Sequence, residues 1–224
     1  MSGFQHSCFI SYRHGDPKDE YDALNNFAQQ VRDALSSELK AQLNKPVFFD
    51  IERLKGGYFL NASIGESLCR SVCLIVIFVR DYLNEEKPYC AAELQAMLNC
   101  ENARFKKLGI DPEVAKKGHI ITIAYRNPDL VPDILKDRVF YDFSKHTAAE
   151  PVLRLNPKYA EKFVEIAELI ADLYEELQNE EQQLCSGCAQ VTIPNINDPK
   201  ACAGVIDLIR KHRKKRPPLT LPQS

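Results

Sequence analysis

Tyr89 and Glu93 stand four residues apart in the segment Tyr89-Cys90-Ala91-Ala92-Glu93-Leu94, shortly after the most apolar run of the chain. On a helix that spacing puts the ring and the carboxylate on one face, one above the other. Cys90 and Leu94 fall on the neighbouring, core-facing stripe, so Glu93 is expected at the border between core and crevice. A carboxylate and an aromatic ring at the mouth of a cleft are a candidate catalytic pair. The plainer reading, a surface glutamate beside a half-buried tyrosine, is what such spacing more often means when taken alone.

Other residues with chemical potential cluster around the first pair. Ser11, Tyr12, Arg13 and His14 close the first apolar run. Ser11 can hydrogen-bond a ligand or simply end a strand. The guanidinium fork of Arg13 matches phosphate geometry, although a solvated loop arginine reads as well. Asp50, Arg53 and Lys55 lie in a polar loop that ends in Gly56-Gly57, a pair suited to unusual backbone dihedrals or close approach. Cys185-x-x-Cys188, with Cys202 and His212 downstream, is too irregular for the spacing of a structural zinc site. Reduced thiols packing a C-terminal segment are expected there, and no metal. The basic run from Arg210 to Arg216 lacks interleaved aromatics and reads as a solvated tail. His119 opens an apolar run and reads as a satisfied structural histidine.

The elements that must position these groups alternate regularly. Apolar strands are predicted at Ser7–Tyr12, Pro46–Asp50, Val72–Val79, His119–Tyr125 and Arg138–Tyr141. Between them, Asp16-Pro17 opens a helix with Asp19 and Glu20 in its first turn and Leu24, Ala28, Val31, Leu35 and Leu39 on one stripe. A second helix spans about Phe59 to Arg70, and a third starts near Pro88. A short turn or helix covers Asp129 to Leu135, and Asn156-Pro157 caps a long one bearing Phe163, Ile166, Ile170, Leu173 and Leu177. The run Val72–Val79 is apolar on both faces, as a central parallel strand should be. The pattern predicts an α/β fold: a flavodoxin-like, doubly wound, five-stranded parallel sheet of order 2-1-3-4-5 with helices on both faces. Ligands of such sheets bind beyond the carboxyl ends of the strands, at the switch point between strands one and three. That places Tyr12-Arg13-His14, Arg80-Asp81-Tyr82 and the start of the following helix around one crevice.

Composition bounds the remainder. The chain has 224 residues and a formal net charge of -2, so no global field favours nucleic acid or a membrane surface. The N-terminus carries no signal-peptide pattern, and no apolar run is long enough to span a bilayer. The eight cysteines sit mostly in apolar segments and are expected to be reduced, in a cytoplasmic protein. The domain is expected to end near residue 178. Residues 179–224 then form an extension with a loop, a short amphipathic helix bearing Val205, Ile206 and Ile209, and the basic tail.

Three segments together resemble the Toll/interleukin-1 receptor (TIR) domain. Cys8-Phe9-Ile10-Ser11-Tyr12 resembles its first box, Val47 to Gly57 its second strand and following loop, and Tyr89-Cys90-Ala91-Ala92-Glu93-Leu94 the aromatic-Cys-x-x-Glu-Leu motif of its enzymatic members. The resemblance covers roughly residues 5 to 175. Close relatives usually carry Trp where this chain has Tyr89. The resemblance implies cleavage of NAD+ with release of nicotinamide, NAD+ being substrate rather than cofactor. It implies Glu93 as the catalytic carboxylate and Ser11, Tyr12, Arg13, Asp50 and Tyr89 as substrate contacts. Arg53, Lys55, Gly56 and Gly57 would form a loop that gates the site and mediates homo-oligomerisation. A non-catalytic TIR–TIR adaptor is the other class it allows. A flavodoxin-like or response-regulator protein shares the topology, but the first strand lacks the acidic cluster a response regulator needs. A stand-alone enzymatic member resembles the TIR proteins of bacterial anti-phage (Thoeris) signalling, in which a separate effector answers a nucleotide messenger.

Overall fold

Apolar runs become strands and amphipathic segments become helices in the order predicted, in a computed structural model that describes residues 3–13, 22–49, 60–111, 118–147, 152–194, 198 and 200–214. The strands are β1 (His6–Tyr12), β2 (Phe48–Phe49), β3 (Ser71–Phe78), β4 (Ile120–Ala124) and β5 (Val139–Asp142). They form one parallel sheet of order β2-β1-β3-β4-β5. β3 lies centrally and is buried along its whole length, which is why its sequence is apolar on both faces. β2 is shorter than its apolar run suggests. Pro46 has no N–H to donate to a ladder, and its carbonyl instead accepts from the Ser7 N–H at 3.0 Å.

The helices are α1 (Asp22–Gln42), α2 (Leu60–Cys69), α3 (Tyr89–Leu108), α4 (Asp133–Lys136), α5 (Pro157–Leu177), α6 (Glu181–Leu184) and α7 (Ala203–His212). α1 and α5 pack together on one face of the sheet, and α2 and α3 on the other. α1 buries the predicted stripe of Leu24, Ala28, Val31, Leu35 and Leu39; its expected opening at Asp16-Pro17 lies outside the described residues. Asn156 caps α5 as its sequence implies, its side chain accepting from the Lys158 N–H at 3.2 Å, with Pro157 in the first turn. Pro88 is the N-cap of α3 rather than its first residue. The helix closes on Gly109, whose φ of 66° is a left-handed conformation that suits glycine.

The amino end of the sheet holds a buried polar lock. Glu101 of α3 accepts two bonds of 2.7 Å from the Arg138 guanidinium and one of 2.5 Å from the His119 backbone N–H. One turn on, Arg104 donates to the carbonyls of Cys69, Ser71 and Val72 at 2.8, 2.8 and 2.9 Å. His119 is structural, as expected, but its imidazole is not satisfied in the way anticipated. Nδ1 is 3.8 Å from Glu101 Oε1, too far for a hydrogen bond, and has no hydrogen-bond partner among the described residues. Burial, reinforced by the charges of Arg104 and Arg138, pushes its pKa down to about 3, so the ring is neutral.

The expectation of reduced cysteines is corrected at one pair. Cys69, the last residue of α2, is disulfide-bonded to Cys188. The C-terminal extension folds back along α2 and brings residues 119 apart in sequence to a Cα–Cα separation of 5.3 Å, within disulfide span. The approach is close throughout: a Cβ at Gly65 would collide with the Val191 carbonyl. The other six cysteines are buried thiols, and burial raises Cys8 to about 12. Leu184, Ile193, Val205, Leu208 and Ile209 join the main hydrophobic cluster, so the extension shares the core of the preceding segment. Ile206 is only half-buried. The basic run is partly tethered rather than wholly solvated: Lys214 Nζ meets Asp133 at 2.6 Å, and Arg210 meets Glu85 at 3.3 Å. Among the described residues, no group of three or more His, Cys, Asp or Glu side chains could hold a metal ion. No described helix is long and apolar enough to cross a membrane.

Candidate functional site

The carboxyl end of β1 delivers residues alternately to the two faces of the sheet. Ser11 points toward α3. Tyr12 points the other way and is buried against Phe49, ring on ring at 5.3 Å and 7°. The ring of Tyr12, which is expected to touch substrate, lies on the face opposite Ser11. It is apolar enough to stack and sits where the pleat sends every second side chain.

On the α3 side three groups converge. Ser11 Oγ donates to Glu93 Oε2 at 2.5 Å and lies 2.8 Å from the Tyr82 hydroxyl. Ser11 and Tyr82 are buried, while Glu93 is partly exposed. Tyr82 reaches this position because the chain turns directly after β3: its N–H bonds the Val79 carbonyl at 2.9 Å, and its ring packs beside Phe78. Burial, with the nearby Cys90 sulfur and Glu93 carboxylate opposing a second negative charge, pushes the phenol well above its ordinary value, so Tyr82 keeps its proton. Burial does the same to the Cys90 thiol, the next side chain along α3 from Tyr89.

Tyr89 begins α3 and is 48% exposed, one turn before Glu93 and on the same side of the helix. The predicted pairing of ring and carboxylate thus holds, with the ring open to solvent. Arg13 leaves β1 and pairs with Asp81 at 2.7 Å across the mouth. A cavity of about 450 Å³ lies beyond this pair on the α1 side, at the carboxyl ends of β1, β3 and β4. It is lined by Arg13, Leu24, Val79, Asp81, Tyr125 and Arg126. Neither Tyr89 nor Glu93 lines it. Asp50, Arg53, Lys55, Gly56 and Gly57 lie outside the described residues.

The sequence reading brought Ser11, Arg13, Tyr89 and Glu93 to one end of the sheet, and the structure gathers them there. It had placed Tyr82 near the crevice without a role, and it missed Asp81 as the partner of Arg13. The available signal for Tyr82 was an aromatic in a polar turn directly after the central strand, where the chain must fold back over its own sheet.

The chemical capacity of the arrangement follows from its parts. A carboxylate is held at one oxygen by a buried hydroxyl, is partly open, and has an exposed aromatic ring a turn away. It can stabilise a positive charge that develops beside it. The family model of the TIR domain matches residues 6–108, a span that runs from β1 to the end of α3 and includes Ser11, Tyr82, Tyr89 and Glu93. No curated protein matches the chain. Residues 6–108 are thus similar to the TIR domain, and the five-stranded parallel sheet of order 2-1-3-4-5 is consistent with that fold.

Proposed function

We propose that the protein cleaves NAD+ at the bond between nicotinamide and ribose, with Glu93 as the catalytic carboxylate. TIR domains include both NAD+-cleaving enzymes and non-catalytic adaptors. The observation that favours the enzyme is the Glu93 carboxylate, fixed by Ser11 and partly open at the carboxyl end of the sheet.

One carboxylate suffices for this reaction. Glycosidases need a second one to protonate a leaving alkoxide. In NAD+ the leaving group is a cationic pyridinium that departs as neutral nicotinamide, so no general acid is required. The barrier lies in the oxocarbenium-like ribose. A full negative charge about 4 Å from that centre is worth ~4 kcal/mol at the effective dielectric of a protein surface, roughly a thousandfold in rate. Glu93 supplies that charge and can accept hydrogen bonds from the ribose diol. Tyr89 offers a flat surface to the nicotinamide or ribose. Arg13 carries the charge for a pyrophosphate, and using it requires exchanging Asp81 for the ligand. Water at the ribosyl carbon yields ADP-ribose, whereas a nucleophile within the substrate yields a cyclic isomer. Self-association through the loop containing Arg53, Lys55, Gly56 and Gly57 would gate the site, and an ADP-ribose product would act as a messenger to a separate effector, as in anti-phage signalling.

The test is nicotinamide release from NAD+ by the full chain, wild type against Glu93→Gln. The substitution is expected to lower kcat by about a thousandfold, while thermal unfolding stays within a few degrees of wild type. Equal rates in the two proteins would leave the adaptor reading.

A further inference from the structure

The buried hydroxyls behind Glu93 carry an inference about how the carboxylate is held. It rests on the reading of Glu93 as the catalytic group. Proton counting settles the direction of each hydrogen bond. An ionised carboxylate has no proton to give, so the 2.5 Å contact must be Ser11 donating to Glu93. Ser11 has one proton and has now spent it. The 2.8 Å contact with Tyr82 must therefore run the other way, from the Tyr82 phenol to Ser11 Oγ. We infer that Tyr82 and Ser11 form a directed relay, Tyr82 O–H to Ser11 O–H to Glu93 carboxylate, that sets the orientation and ionisation of the catalytic group, and that Ser11 is a positioning residue rather than a substrate contact.

Three features support the assignment. Ser11 and Tyr82 are 1% and 0% exposed, so a ligand in the open crevice does not reach Ser11 directly and neither hydroxyl is solvated by bulk water. Each anchor belongs to an element with little freedom: Ser11 is paired in register with Val76 in the middle of the sheet, and Tyr82 is pinned by the turn after β3. The phenol holds its proton across the working range because burial opposes its ionisation, so the first donor of the relay is always present. Hydrogen bonds in such a chain polarise one another, and the last one is charge-assisted.

Ser11 from β1 meets Glu93 directly, and Tyr82 from the turn after β3 stands behind Ser11. Arg13 and Asp81 are paired with each other, and Tyr82 and Cys90 are neutral. By donating to the ionised form, the hydroxyl relay lets a neutral side chain favour the charge on Glu93.

The experiment compares wild type, Ser11→Ala and Tyr82→Phe in the full chain by two readouts. The first is steady-state nicotinamide release. Ser11→Ala is expected to lower kcat by about 10- to 100-fold with KM within twofold, because the carboxylate loses its orientation and not its ligand. Tyr82→Phe keeps the ring in its pocket and is expected to lower kcat by about three- to tenfold. The second is the pH titration of the Glu93 side-chain carboxyl followed by carbon-13 NMR, with Glu93→Gln identifying the signal. Loss of a donor to the ionised form moves that titration to higher pH, more in Ser11→Ala than in Tyr82→Phe. An unchanged titration in Ser11→Ala overturns the relay whatever the rates do, as does a loss confined to KM. If wild type and Glu93→Gln are equally inert toward NAD+, the reaction assigned above falls, and the titration alone still decides the relay.

Discussion

Glu93 and Glu101 lie on the same helix, two turns and about 12 Å apart, and the protein uses them differently. Glu101 is closed. It is 2% exposed, and Arg138 and the His119 N–H fill both its oxygens. Glu93 is partly exposed and is gripped at Oε2 by a neutral hydroxyl. α3 runs antiparallel to the strands, so its two ends meet opposite ends of the sheet. At the amino end, β3 and β4 begin and the chain presents carbonyls and cations that must be paired internally. At the carboxyl end the crevice opens. The same residue type becomes a structural lock at one end and a candidate catalyst at the other because one end is sealed and the other is not.

The comparison breaks most visibly at the lock. Glu101→Ala leaves Arg138 and the His119 N–H without their acceptor and is expected to cost about 3–5 kcal/mol in urea unfolding. Nicotinamide release per folded molecule should stay near wild type. A collapse in that specific rate with unchanged stability would reverse the roles of the two glutamates.

The disulfide tests whether the extension belongs to the sealed end. Cys69 ends α2 beside the carbonyls that Arg104 binds. Cys188→Ser releases a constraint over 119 residues of sequence and is expected to lower stability by about 3 kcal/mol. The kcat should change by less than twofold. A larger kinetic effect would show that the extension reaches the open end through α2 and α3.

The smallest effect is a slope. The fold holds His119 neutral with a pKa of about 3, whereas in the unfolded chain it titrates near 6.5. Between those values the unfolded state binds a proton that the folded state does not. Stability from this group is therefore intact above about pH 6.5 and falls as the pH drops toward 3, by at most ~1.4 kcal/mol per pH unit. In His119→Gln the fall of unfolding free energy with acid, from urea unfolding at each pH, should be shallower by up to that amount. An identical slope would mean that the buried ring takes up its proton without unfolding.

Much of this was legible before any coordinates. Strand order follows from alternation and handedness, because right-handed crossovers leave few ways to arrange five parallel strands. The α1 stripe from Leu24 to Leu39 and the Asn156-Pro157 cap are local signals, and both appear as expected. Tyr89 and Glu93 were legible as a pair because a helix fixes the relation between residues four apart. β1 sends Ser11 and Tyr12 to opposite faces, and their neighbours in the sequence do not say which of the two faces α3. The Cys69–Cys188 bond was hidden because no short-range pattern records where a C-terminal extension folds back.

By itself the sequence determined the sheet, its order and the placing of Tyr89 and Glu93 on one side of a helix. Periodicity and chirality act over a few residues and are written along the chain. Only the tertiary structure decided which glutamate of α3 is sealed and which is open, that Tyr82 stands behind Ser11, and that Arg13 pairs with Asp81. Those facts join residues 18 to 82 positions apart, from Glu101–His119 and Glu101–Arg138 to Arg13–Asp81, Ser11–Tyr82 and Ser11–Glu93, and contacts of that kind exist only once the sheet has formed.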